Sequence, residues 1–245
     1  MSGGEEERRA ELAAGLGRVR ARIADACAAA GRERGEVTLV AVTKTYPAQD
    51  VIRLAELGVG DIGENRDQEA APKAAEVAAA GARVRWHFVG QLQRNKCRSV
   101  AGYADMVHSV DSVRLAEALA DPAERLRDRP LDVLVQVSID DDPRRGGALA
   151  APDAEPGRAL SRVAAAVAAA PALRLAGVMA VAPLGWRPAD AFGRLAEIAS
   201  ALRAEHPAAT VVSAGMSEDL EAAIAFGATH VRVGSALLGK RPDLR

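Results

Sequence analysis

Lys44 ends an apolar run. The segment "LVAVTKTYP" (Leu39–Pro47) reads as a buried strand followed by a long amine, before Thr45, Tyr46 and Pro47 break the pattern. Side chains alternate along a strand, so Thr38, Val40, Val42 and Lys44 share one face. If Val40 and Val42 fill an interior, Lys44 points into its mouth. There a partly desolvated amine can form a Schiff base with a carbonyl compound. Taken alone, a lysine snorkelling to solvent explains the same pattern.

A second group lies near the end of the chain. In "HVRVGSALLG" Gly234 and Ser235 open a short final helix, and backbone N–H groups beside a glycine there can cradle a phosphate. "SAGMSEDLEAA" delivers Ser213 and Gly215 at the end of another strand, with Ser217 as the N-cap of the next helix. Arg232 shares a face with Gly234 and would point inward below that loop. A buried arginine needs a partner; a pyridine-type ring nitrogen and an interior carboxylate both qualify. His87, in "WHFVG", reads as a hydrogen-bonded core histidine or as pocket lining. The four histidines (His87, His108, His206, His230) show no close ligand spacing, so no metal is expected.

These residues need a scaffold that gathers strand ends. After an N-terminal helix, roughly Glu6 to Ala30, eight short β-rich runs alternate with segments of helical period. The strands are read in "VTLVAVT", "GVGDIGE", "VRWHFVG", "DMVHSV", "LDVLVQVSI", "LRLAGVMAV", "TVVSAG" and "HVRVGS". Strict alternation requires a parallel sheet, because each return crossover is a helix. Eight units favour an α/β fold of a single (β/α)8 TIM barrel over an open doubly wound sheet. The expected domain is 1–245, with a core of about 37–240. The C-terminal strand ends, where barrels build their sites, are polar and glycine-rich, while the strand interiors read as Val, Ile, Leu and Ala. "DPAERLRDRP" reads as an exposed helix end and turn. "DDDPRRGGALAAPDAEPG" (Asp140–Gly157) reads as a long loop on the ligand-binding face, either functional or simply disordered.

Composition narrows the class. The 245 residues are 49% hydrophobic, 27% charged and 3% aromatic, which suits one large globular core. A net charge of -1 gives no general attraction to nucleic acid or acidic membranes. Cys27 and Cys97 match no metal or redox spacing and read as inert thiols of a reducing compartment. "MSGGEEERRAELAAG" lacks the basic and apolar regions of a signal peptide, and no run is apolar enough to span a bilayer. The expectation is a soluble cytoplasmic protein, monomeric or a weak homodimer.

A Schiff-base lysine after strand one with a phosphate site after strand eight suggests pyridoxal 5′-phosphate (PLP). The blocks "LVAVTKTYP", "GDIGENRDQE", "WHFVGQLQRNK", "VHSVDS", "GVMAVAP" and "SAGMSEDLEAAIAFGATHVRVGSALLG" resemble the pyridoxal phosphate homeostasis protein family, which is related to the alanine racemase N-terminal barrel. The resemblance covers about Val37 to Gly239. It implies that Lys44 would hold PLP as a Schiff base and that Ser213, Gly234 and Ser235, with backbone near Met216, would hold its phosphate. It further implies Arg232 near the pyridine nitrogen, Asn65 beside the cofactor and His87 in the pocket lining. It is weakest at "DDDPRRGG".

The family is thought to bind, buffer or deliver PLP to client enzymes without established catalysis. Consistent with that expectation, the chain ends at "GKRPDLR", with no residues left for the second domain of related racemases. Only Tyr46 and Tyr103 could supply an opposing phenol. Three readings stand: a PLP-binding carrier with no catalytic residue, a minimal PLP-dependent amino-acid racemase, and a PLP-free phosphate-binding barrel of the Schiff-base aldolase kind.

Overall fold

The computed structural model describes residues 3–239; the end of the expected core, Lys240, lies outside them. The eight strands are β1 (Thr38–Val42), β2 (Asp61–Glu64), β3 (Arg85–Phe88), β4 (Met106–Val110), β5 (Leu131–Gln136), β6 (Leu173–Met179), β7 (Val211–Ser213) and β8 (His230–Val233). All pair in parallel and in sequence order, and β1 closes on β8 through Thr38–His230 to Ala41–Val233. The expected barrel is therefore closed. The helices that return each crossover are α2 (Ala48–Glu56), α3 (Asp67–Ala79), α4 (Cys97–Tyr103), α5 (Val113–Leu126), α6 (Leu160–Ala169), α7 (Pro188–Glu205) and α8 (Leu220–Ala225). Before them runs α1 (Gly3–Ala29), and after β8 comes the one-turn α9 (Ser235–Leu238).

Each helix exists because a strand needs its outer face covered. In α5, Leu115, Ala116, Leu119 and Ala123 recur at helical spacing and are all buried. That burial carries the helix through Pro122 to Leu126, where the sequence suggested a turn. The proline removes one backbone bond, and the apolar stripe outweighs it. α1 buries Leu12, Leu16, Val19 and Ile23 in one cluster with Leu220, Ile224, Leu237 and Leu238. Gly15 makes that contact possible: a Cβ there would stand 2.1 Å from the Leu237 carbonyl oxygen.

The barrel interior departs from the expected aliphatic filling. Gly63 leaves room for the Val40 and Val42 side chains, and Met106, Leu134, Ala176 and Met179 form one apolar cluster. Several other interior positions are polar: His87, His108, Ser213, His230 and Arg232 are all buried. The Asp140–Gly157 loop is ordered. Asp141, at φ 51°, accepts from the amides of Ala150 and Ala151 at 2.6 and 3.1 Å. The Arg158 guanidinium donates to the carbonyls of Pro143, Arg145 and Gly147. Cys27 and Cys97 are buried free thiols, and burial pushes the Cys97 thiol up to about 11. No helix among the described residues is long and apolar enough to cross a membrane.

Candidate functional site

β1 ends in a tight turn that aims Lys44. The Tyr46 amide donates to the Thr43 carbonyl at 3.0 Å, and Thr45 holds a left-handed φ of 70°. A β-branched residue seldom adopts that backbone, at a cost on the order of 1–3 kcal/mol. Neighbouring contacts hold it: the Thr45 amide donates to Glu69 at 3.2 Å, and Tyr46 Oη donates to the Gly239 carbonyl at 2.9 Å. Beneath the turn, buried Glu64 accepts from Thr43 Oγ1 at 2.6 Å and from Lys73 Nζ at 2.5 Å. Burial pushes the Glu64 carboxyl up in pKa, against the pull of Lys73. The ends of β1 and β2 are thereby tied together.

Lys44 lines a cavity of about 450 Å³ at the C-terminal end of the barrel, within the range of small-molecule sites. Asn65, Met216, Arg232, Gly234 and Ser235 line it too. Six of the eight residues singled out in sequence thus converge on one space. Asn65 is placed by Gly90, where any Cβ would lie 2.0 Å from the Asn65 carbonyl oxygen. Arg232 is buried, and burial pulls its guanidinium down to about 10, still charged at neutral pH. It donates to Ser213 Oγ at 2.7 Å and to the Ala180 carbonyl at 2.9 Å. An interior carboxylate is not its hydrogen-bond partner.

Two expected residues stand elsewhere. His87 is 1% exposed and absent from the cavity wall. Its Nε2 pairs with Asp61 and its Nδ1 with His108 Nε2, both at 2.9 Å. The inward register of β3 sends it down the barrel, one step below the mouth. Ser213 is fully buried; it receives Arg232 and pairs with His108 Nδ1 at 3.0 Å.

Ser217 stands at the cavity wall in its place. α8 begins only at Leu220, with Asp219 at the N-cap position; the Asp219 Oδ1 accepts from the Met216 amide, ahead of the helix, at 2.6 Å. Ser217, expected to cap that helix, lies 3.4 Å from Ser235 Oγ across the mouth. No sequence signal separates these two capping choices, since Ser217 and Asp219 both suit the role. Asp61 and His108 were also missed. The signal for them was inward alternation: Asp61 before Gly63, and Met106 before His108, at period two.

The family profile "Alanine racemase, N-terminal domain" matches residues 16–242. Among curated relatives, the Pyridoxal phosphate homeostasis protein of Mycobacterium tuberculosis is 46% identical over 248 residues, covering 96% of this chain and 95% of its own length. The Escherichia coli K12 protein of the same name is 38% identical over 241 residues, covering 94% and 97%. A solved structure of PipY from Synechococcus elongatus with PLP bound superposes with a TM-score of 0.74 at 32% identity, over 93% of this chain and 100% of that one. The chain belongs to the pyridoxal phosphate homeostasis proteins, within the alanine racemase N-terminal domain family.

Proposed function

We propose that this chain binds PLP in the Lys44 cavity and serves intracellular PLP homeostasis in the cytoplasm as a binding or carrier protein rather than an enzyme. One observation carries the reading: an amine, two serines (Ser235 at the start of α9 and Ser217 ahead of α8) and a buried arginine converge on one cavity. PLP presents an aldehyde, an anionic phosphate and a ring nitrogen, and these residues fit them in that order. Bound there, the cofactor supplies an electrophilic carbon and an electron-withdrawing ring. Lys44 would be the residue that holds the aldehyde carbon, through its amine. Ser217, Gly234 and Ser235, with the backbone near Met216, would hold the phosphate, Arg232 would lie near the ring nitrogen, and Asn65 would lie beside the cofactor. The relatives named for PLP homeostasis and the PLP-bound PipY structure support this choice of ligand.

The racemase reading is weaker on the same geometry. A guanidinium at the ring nitrogen disfavours a protonated ring, and so reduces its capacity to hold carbanion electrons. Neither tyrosine offers a base: Tyr46 donates its hydroxyl to Gly239, and Tyr103 is not part of the cavity wall. Client enzymes that accept PLP, and a monomeric or weakly dimeric state, complete the proposal. The purified protein should show a visible absorption band on adding PLP, and Lys44→Ala should abolish it. A band that survives that substitution removes Lys44 from the reading.

A further inference from the structure

Beneath the cavity the barrel interior carries a continuous polar chain. Arg232 Nη1 donates to Ser213 Oγ (2.7 Å), Ser213 Oγ meets His108 Nδ1 (3.0 Å), His108 Nε2 meets His87 Nδ1 (2.9 Å) and His87 Nε2 meets Asp61 Oδ1 (2.9 Å). It crosses from β8 through β7, β4 and β3 to β2, and His87, His108, Ser213 and Arg232 are each at least nine-tenths buried. A packed interior could have been filled with aliphatic side chains, as the Met106–Leu134–Met179 cluster is.

The two ends fix the direction of the whole chain. A guanidinium has only donors, and an ionised carboxylate only accepts. Ser213, His108 and His87 can each donate one proton along the chain and accept one. With both imidazoles neutral, a single alignment satisfies every link. His87 gives Nε2–H to Asp61, so its Nδ1 must accept; His108 then gives Nε2–H, and its Nδ1 must accept from the Ser213 hydroxyl. Ser213 is left presenting lone pairs to Arg232. A proton added at His87 reverses this: His108 must move its own proton to Nδ1, and it then competes with Arg232 for the Ser213 oxygen. The charged and titratable groups around this pair are Asp61 on β2, Arg85 on β3, His230 and Arg232 on β8, and Asp132 on β5, which pairs with Arg85. Burial holds His108 well below the usual imidazole range, with the neighbouring histidines and arginines adding to the effect, and this keeps His108 neutral at pH 7.

We propose that Asp61, His87 and His108 are positioning residues for the PLP site, forming a one-way relay that keeps Ser213 an acceptor and so fixes the Arg232 guanidinium against the cofactor ring. The inference rests on the PLP reading above, yet its first test does not. In the cofactor-free protein, nitrogen NMR of labelled histidine at neutral pH should find both His87 and His108 as Nε2–H tautomers. An Nδ1–H tautomer at either residue overturns the relay.

The second test uses the full-length, PLP-loaded protein. Asp61→Asn should weaken PLP about three- to tenfold and move the pH midpoint of the visible band. In a Ser213→Ala background, where the relay is already cut, Asp61→Asn should change neither affinity nor midpoint. Equal effects in both backgrounds would make Asp61 a merely structural residue and sink the proposal. Should Asp61→Asn fail to fold, His87→Asn in the same two backgrounds decides the question by the same comparison. Asp61→Glu, which keeps the charge, should restore the midpoint. If wild-type protein shows no band, the PLP reading fails while the tautomer result still stands or falls alone.

Discussion

A phosphate ester at the cavity mouth would meet Ser217 and Ser235, whose hydroxyls lie 3.4 Å apart. Hydrogen bonds to a charged group contribute about 1.5–3 kcal/mol each, so Ser217→Ala and Ser235→Ala should each weaken PLP by about tenfold or more. Pyridoxal, which lacks the phosphate, should bind both variants as it binds the wild type. Titrating the visible band with the two aldehydes checks this, and equal losses for both would place the phosphate elsewhere. At this scale the sequence was informative where a residue type is rare in its context. Lys44 stands out against Val40 and Val42, and Arg232 against Val231 and Val233. It was silent where contexts are ordinary. Whether Ser213 or Ser217 faces the cavity depends on the inward direction of the β7 end, where Ser213 meets Arg232 and His108, and composition does not encode that choice.

α1 is the element that joins the two halves of the site. Arg8 reaches from it to Asp50 at 2.8 Å and to the Leu238 carbonyl at 3.1 Å, and it lies 5.6 Å from the centre of the Tyr46 ring. Tyr46 in turn holds Gly239, so the Lys44 turn and the end of α9 are clamped to one helix. Two glycines in α1 offer a matched test. At Gly15 a Cβ would sit 2.1 Å from backbone, whereas at Gly17 nothing lies within 4 Å. Gly17→Ala should stabilise the protein by about 0.5–1 kcal/mol through helix propensity alone. Gly15→Ala should instead destabilise it by about 1–3 kcal/mol, by forcing α1 away from α9, and should weaken PLP binding. Denaturant unfolding and PLP titration separate the two. The helix itself was plain in the sequence; its role as a clamp was not, because Gly15 and Gly17 look alike until the partner backbone is known.

The whole barrel shows which long-range facts the sequence carried. Eight apolar runs separated by helical segments favour a closed barrel over an open doubly wound sheet, the reading that the closed β1–β8 pairing bears out. The polar interior was foreseen only in His87, read as a hydrogen-bonded core histidine, and in the inward Arg232; Asp61, His108 and His230 were not, since they sit in strands whose neighbours are apolar. That interior makes stability depend on pH. Burial pulls His230 down to about 4 from the ordinary 6.5, and pulls His108 down as well. Both stay neutral in the folded state across a range where the unfolded chain takes up protons, so stability falls as pH drops from 6.5 toward 4. For His230 alone the shift corresponds to roughly 3 kcal/mol, fully lost below its folded value. Asp61 adds in the same sense: burial, the largest single influence, acts to raise its carboxyl, but the bond from His87 and the neighbouring basic side chains together leave it lowered, so its stabilisation also disappears in acid. Unfolding free energies measured at pH 7 and pH 4.5 should differ by this order, and a flat profile would mean that water reaches the barrel interior.

The central claim is a covalent bond at one nitrogen. PLP-loaded protein reduced with borohydride, digested and mapped by mass should carry a single pyridoxyl adduct on the peptide containing Lys44. An adduct on Lys73, Lys96 or Lys240 with Lys44 unmodified would contradict the account.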